Sequence, residues 1–141
     1  MFKLGTLLLA ATLPTVVVHA PRADLTLEVA RTQAQRERGL MDRTTVPPHT
    51  GMIFVFDGNE PVEFWMKDTL VSLDMVFVAA DGSVRRVYAD VPVLRTGVDD
   101  DAIPREGATA KYVIELHAGE AAKDGIAAGV RLDLHDVPSS M

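Results

Sequence analysis

Short runs of alternating apolar and polar residues recur along the chain and predict a mostly β fold. Leu25, Leu27 and Val29 alternate with Thr26 and Glu28, and a two-residue period is typical of a half-buried strand. Similar signals predict strands over residues 52–56, 62–67, 73–79, 84–91, 111–117 and 130–136. Turns are predicted between them over residues 57–61 and at Asp81-Gly82. The sheet would then have about seven strands.

Two short helices interrupt this pattern. Thr32 and Gln35 have the spacing of a capping box, in which a hydroxyl and an amide bond to otherwise unpaired backbone groups at the start of a helix. Gly39 suits the left-handed position that ends this helix, and residues 118–124 form a second one that ends at Gly125. The predicted fold class is α+β, a strongly bent, mostly antiparallel sheet or small β-barrel with two short helices.

Residues 92–109 show neither period. A connection of this length is uncommon in a compact domain unless it has a function or is flexible. We therefore expect either a functional flap or a flexible insertion. Its acidic run, Asp99 to Asp101, lacks the regular spacing of a calcium-binding loop.

The N-terminus has the pattern of an export signal. Lys3 precedes an apolar run over residues 4–18, and Val18-His19-Ala20 resembles a small-residue cleavage site. This pattern predicts a signal peptide over residues 1–20, a single domain over residues 21–141, and a periplasmic or secreted location without membrane attachment after cleavage. The alternatives are an apolar first strand or an uncleaved anchor.

Composition removes several classes of function. The chain of 141 residues contains no cysteine, which excludes disulfides, thiol nucleophiles and thiolate metal sites. A net charge of −6 argues against a nucleic-acid partner. Nucleotide-binding loops, the serine hydrolase elbow and the HExxH zinc motif are also absent from the sequence.

The segment between Gly51 and Asp74 contains the most unusual chemistry. It places Lys67 beside the only tryptophan, Trp65, and a charge among large apolar residues must reach water or find a partner. Lys67 with Asp68 or Asp74 would form either a structural ion pair or an acid/base site with a lowered lysine pKa. A ligand-binding surface is predicted over the following residues: Glu63, Trp65, Lys67, Asp68 and Asp74.

Methionine and histidine give no metal or cofactor assignment. Met41, Met52, Met66 and Met75 are close to the central segment, and thioethers bind Cu(I), but methionine more often fills gaps in a core. The four histidines show no helical pairing, although His117 and His135 lie on C-terminal segments that would form a two-histidine site if they paired. The sequence analysis therefore assigns neither a metal nor a cofactor.

Three segments of the chain carry a longer pattern. They read RGLM at 38–41, GMIFVF at 51–56 with FWMKDT at 64–69 and LD at 73–74, and VIELxAG at 113–119. In order and spacing, from about Leu25 to Leu134, the chain resembles the DUF192 family. The resemblance implies a small α+β domain with a curled sheet, commonly exported in bacteria and of unknown function, with no catalytic residue to transfer. The family usually has Asn at the position of Asp68 and Gly-Asp at the position of Gly129-Val130.

The leading functional hypothesis is an exported, non-enzymatic binding or accessory protein. Its ligand, an unknown small molecule or an envelope protein, would contact the surface around the 64–67 strand, covered by the 92–109 loop. The alternative is a small hydrolase or transferase that uses Lys67 and Asp74 as candidate catalytic residues in a pocket.

Overall fold

A computed structural model describes residues 12–140, which form six strands, two α-helices and one 3-10 turn. The strands are β1 (Thr15–His19), β2 (Asp24–Ala30), β3 (Thr50–Trp65), β4 (Leu73–Val78), β5 (Val84–Val91) and β6 (Arg105–His117). The helices are α1 (Gln33–Arg38) and α2 (Glu120–Lys123), and the 3-10 turn spans Asp100–Ala102. The predicted α+β class with two short helices is confirmed.

The six strands form one open sheet in the order β1-β2-β3-β6-β4-β5. All neighbouring strands are antiparallel except β2 and β3, which are parallel. This pair is parallel because helix α1 and the segment after it carry the chain back to the starting end of β2. A crossover of that kind is what joins parallel neighbours in a sheet. The barrel alternative is wrong, since the sheet does not close.

Strand β3 corrects the predicted turn over residues 57–61. The two strands expected on either side of this turn form one strand of 16 residues. Its pairing with β6 shifts register between Val55 and Glu60, so Gly58 and Asn59 lie in a bulge. A bulge bends a strand without ending it, and the bend directs the second half of β3 towards α1.

The two faces of the sheet carry two apolar cores. One contains Val18, Leu25, Val76 and Ile114, and the other contains Phe54, Phe77 and Met75. Inner strand β4 is buried along its whole length. This two-sided burial explains why residues 73–78 form an apolar run instead of an alternating one.

Strand β1 lies within the predicted signal peptide. It pairs antiparallel with β2, with Val18 opposite Leu25, and the side chain of Val18 is fully buried. Cleavage after Ala20 would therefore remove an edge strand and expose apolar core. Residues 1–11 of the predicted signal lie outside the described part of the chain.

The C-terminal segment is not the predicted strand over residues 130–136. Arg131 and Asp133 form only single bridges, to Ser83 and His19, while Leu132 is buried. The segment therefore packs across the sheet without joining its ladder. Within residues 12–140, neither helix has the length and apolar character that a bilayer crossing requires.

Candidate functional site

A cleft of about 440 Å³ opens between helix α1 and the second half of β3. The capping box is present as predicted: Thr32 accepts a hydrogen bond from the Gln35 N–H, and the Gln35 side chain accepts one from the Thr32 N–H. This cap sets the start of α1, and the bulge in β3 sets the opposite wall. The cleft is lined by residues from both elements and from β6, among them Arg36, Phe56, Glu63, Trp65, Lys67 and Glu115.

Aromatic rings form one wall of the cleft. The ring of Phe64 meets Phe54 edge to face with centroids 4.7 Å apart, and Phe56 at 6.2 Å. Arg36 lies over Phe56, 4.9 Å from the ring centroid, and donates a hydrogen bond to the Val55 carbonyl. Edge-to-face and cation–π contacts of this kind hold rings in one orientation.

Trp65 lies between two cations at the rim. The Arg105 guanidinium is 4.2 Å from its ring centroid, and the Lys67 ammonium is 5.2 Å away. Trp65 and Arg105 are opposite each other in the β3–β6 ladder, so strand register brings this pair together. The indole and Lys67 are half-buried and Arg105 is exposed, so the rim is polar.

Lys67 pairs with Asp100, which the sequence indicated only as part of the acidic run in the 92–109 loop. Its ammonium group donates a hydrogen bond of 2.7 Å to Asp100 in the 3-10 turn. This hydrogen bond is the main reason why the pKa of Lys67 is raised, with further contributions from the charges of Asp100 and Asp68. The hypothesis of a reactive lysine with a lowered pKa is therefore wrong.

Exposure of this ion pair predicts a small effect on stability. We expect Lys67→Met to melt at nearly the same temperature as the wild type, because exposed pairs lose most of their attraction to solvent screening. Thermal melting at pH 7 measures this, with Arg131→Met, which breaks another exposed pair with Asp81, as the control. A large loss specific to Lys67→Met would contradict the assignment of Lys67 to the rim.

Asp74 is not part of this surface. Its side chain is fully buried and accepts hydrogen bonds from the backbone N–H groups of Asp90, Gly119 and Ala121 at 2.9 to 3.1 Å. Gly119 caps helix α2 but has no side chain to bond its first turn, and Asp74 fills that role. The predicted pairing of Lys67 with Asp74 is wrong, because Asp74 is a structural carboxylate.

The remaining predicted site residues divide between the cleft and solvent. Glu63 lines the cleft together with Trp65 and Lys67. Asp68 is exposed outside the cleft, with a left-handed backbone (φ 52°). It affects Lys67 only through its charge.

Glu115, the most unusual group in the cleft, is not among the site residues predicted from the sequence. It lies on β6 between Met52 and Met75 of the neighbouring strands, and it is only 5% exposed. Its carboxyl group faces the cleft, and among residues 12–140 no hydrogen bond or ion pair reaches it. Burial alone raises the pKa of Glu115 to about 8.

The sequence does contain a pattern that marks Glu115 as unusual. It interrupts the apolar run Val113, Ile114 and Leu116, and a charged residue inside a buried strand is rare without a partner. Three of the four methionines fill the core as predicted, since Met52, Met66 and Met75 are buried in one apolar cluster. The fourth, Met41, is half-buried and lines the cleft.

Two solved structures are similar to this chain along most of its length. One is described as a transcription regulator from Sinorhizobium meliloti 1021, with 36% identity, a TM-score of 0.74, and coverage of 86% of this chain and 95% of that chain. The other is a protein of unknown function from Novosphingobium aromaticivorans, with 28% identity, a TM-score of 0.76, and coverage of 88% of each chain. No curated protein gives a significant match.

The family comparison agrees with the sequence pattern. The model of DUF192, described as an uncharacterized ACR, matches residues 16–134, which begin in β1 and continue past α2. The structure gives one reason for the pattern. Asp74 of the LD segment accepts hydrogen bonds from Gly119 of the AG segment and from Ala121, and so caps helix α2. The chain therefore belongs to the DUF192 family.

Proposed function

We propose that this chain is a non-enzymatic binding domain whose ligand occupies the cleft between α1 and β3. The observation that carries the proposal is Glu115, a buried carboxyl at the wall of the cleft with no partner among the described residues. A buried polar group without a hydrogen bond costs free energy, so such groups usually have a partner. A bound molecule that accepts a hydrogen bond from Glu115 would supply one.

The chemistry of the cleft favours a small polar ligand with a ring or apolar face. Besides Glu115, the lining has four arginine or lysine side chains and three glutamates, so their charges nearly cancel, and aromatic rings form one wall. Near neutral pH the raised pKa leaves Glu115 largely protonated, so it donates a hydrogen bond. A neutral donor beside aromatic rings suits a polar ring better than a strongly charged ion.

Trp65 provides a direct test, because it is the only tryptophan and it lies at the rim of the cleft. We expect its fluorescence to change saturably with at least one of three probes: N-acetylglucosamine (neutral ring), phenylalanine (zwitterion) or benzoate (anion). Glu115→Gln retains a neutral hydrogen-bonding group and is expected to bind with similar affinity, whereas Glu115→Leu is expected to bind at least about tenfold more weakly.

The matched control is Arg131→Ala, an exposed change outside the cleft, which should bind as the wild type does. Circular dichroism establishes that each variant is folded before titration. If the Leu variant binds as tightly as the Gln variant, Glu115 is not a ligand contact. If none of the three probes alters the fluorescence of Trp65, a small ring-containing ligand is wrong, and an envelope protein becomes the better candidate.

The enzymatic alternative loses the pair of residues on which it depended. Asp74 is occupied by backbone donors, and Lys67 is bonded to Asp100. A hydrolase or transferase that uses these two side chains together therefore has no geometric support. The regulatory description of the Sinorhizobium protein is not extended to this chain, because a net charge of −6 disfavours binding to DNA.

We also propose that the domain is exported to the periplasm or secreted. The support is the charged start at Lys3 and the apolar residues 4–13 that precede the sheet. Because β1 belongs to the sheet, this proposal places the mature start no later than Pro14, whose carbonyl accepts a hydrogen bond from Val29. The cleavage position in this proposal therefore differs from the Ala20 expected from the sequence.

A further inference from the structure

A second cleft, of about 500 Å³, shares no lining residue with the first. It holds a cluster formed by His49, Glu120 and Asp124. One ligand-type atom from each residue lies within 4.8 Å of the other two. We propose that this cluster binds a divalent transition-metal ion of the zinc or manganese type.

Helix α2 and the loop before β3 build the cluster. Glu120 begins the helix and Asp124 follows its last residue, four positions later, so both carboxylates lie on one side of a single turn. His49 precedes β3 in a left-handed conformation (φ 59°), and its backbone N–H donates a hydrogen bond to Glu120. This bond holds the loop against the helix and directs the imidazole towards the carboxylates.

Burial makes the two carboxylates costly without a cation. Glu120 is 5% exposed and Asp124 is 2% exposed, and like charges in a low-dielectric setting repel each other strongly. Within the described residues, neither carboxylate forms a salt bridge with lysine or arginine, although Arg22 and Lys123 line the same cleft. Only His49 approaches, with its Nδ1 atom 3.4 Å from Asp124 and 3.9 Å from Glu120.

A second observation points to a ligand. In the described part of the chain, the Oδ2 atom of Asp124 is the one side-chain polar atom that is wholly shielded from solvent and has no hydrogen-bond partner. Buried polar atoms are nearly always bonded to protein, to water or to an ion. A cation between the three side chains would bond this atom and offset the repulsion between the carboxylates.

The donor set selects the class of metal. One imidazole nitrogen and two carboxylate oxygens are ligands typical of zinc, manganese or ferrous iron, whereas calcium prefers six to eight oxygens. The cleft is open to solvent, and the exposed side of His49 faces it. Water or another ligand can therefore complete the coordination.

The test uses tag-free protein stripped with EDTA and titrated with zinc ions by calorimetry and by thermal melting. We expect one equivalent to bind saturably and to raise the melting temperature, because a ligand that binds only the folded state stabilises it. His49→Gly is expected to weaken zinc binding at least about tenfold. Glycine accepts the left-handed backbone at this position without strain.

Two further variants separate metal binding from general effects on folding. Asp124→Asn keeps the shape of the side chain but removes its charge, and it should also lose zinc affinity while remaining folded. His135→Ala is the matched control, because His135 is an exposed histidine bonded to Asp133 and close to Asp136. It should bind zinc as the wild type does.

Three results would overturn the proposal. Wild-type protein that does not bind zinc or manganese would show that a shared proton, not a metal, neutralises the carboxylates. Equal binding by His49→Gly and the wild type would place the metal elsewhere, and so would a loss of binding in His135→Ala. Calcium binding as tight as that of zinc would remove the assignment to a transition metal.

Discussion

Replacement of Asp74 by alanine is expected to lower the free energy of unfolding by about 3–5 kcal/mol, which is a large fraction of the stability of a domain of this size. The buried carboxylate accepts hydrogen bonds from Asp90 on β5 and from Gly119 and Ala121 at the start of α2. Removing it leaves three N–H donors without partners in a dry environment, and each such donor costs about 1–3 kcal/mol. Urea unfolding followed by circular dichroism measures the loss.

The nearby Asp68 offers a matched control for this prediction. Asp74→Asn keeps one acceptor oxygen but turns an amide N–H₂ towards backbone donors, so it should be clearly less stable than the wild type. Asp68→Asn makes the same chemical change at an exposed position with a left-handed backbone, which asparagine tolerates well. It should unfold like the wild type. Equal stability of the two Asn variants would mean that Asp74 does not hold β4, β5 and α2 together.

Glu115→Gln is expected to stabilise the protein at high pH and to have little effect at low pH. Burial raises the pKa of Glu115 from 4.5 to about 8, so between these values the folded protein keeps a proton that the unfolded chain releases. Stability relative to the Gln variant is therefore fully retained below pH 4.5. It falls by about 1.4 kcal/mol per pH unit as the pH rises towards 8, and levels off above that value.

The total difference by pH 9 is about 5 kcal/mol. Urea unfolding of the wild type and of Glu115→Gln at each pH from 4 to 9 measures it. Glu63→Gln is the control, since Glu63 is an exposed glutamate of the same cleft, and its difference from the wild type should stay small over this range. Curves for the wild type and Glu115→Gln that run parallel from pH 5 to pH 9 would show that Glu115 is not held protonated by burial.

Both predictions concern an acidic residue in apolar surroundings. The sequence indicated each of the two residues, Asp74 and Glu115, to a different extent. Asp74 was recognised as unusual, but the lysine seven positions earlier was the wrong partner. Its actual donors include Gly119 and Ala121, which are 45 and 47 residues away. Glu115 was visible as a charge within an apolar strand, yet its burial depends on Met52 and Met75, which belong to two other strands.

Local signals predicted the local structure well. The capping box of α1, the strand that returns after Asp81-Gly82 and the short α2 depend on residues within a few positions of one another, and all three are present. The predictions are wrong where contacts between distant segments decide the local structure. The turn predicted over residues 57–61 became a bulge because β6 pairs with both halves of β3, and the predicted C-terminal strand lacks a ladder of partners.

The amino-acid sequence by itself determined the α+β class, the positions of the two short helices and the capping box of α1. These follow from periodicity and from side-chain bonds to the adjacent backbone. Tertiary structure alone decided that β2 and β3 run parallel, that Asp74 caps a distant helix, that Glu115 lies buried at a cleft, and that His49 meets Glu120 and Asp124. Each of these depends on contacts between segments far apart in the chain, and the energy of a buried charge is set by the partners that the fold brings to it.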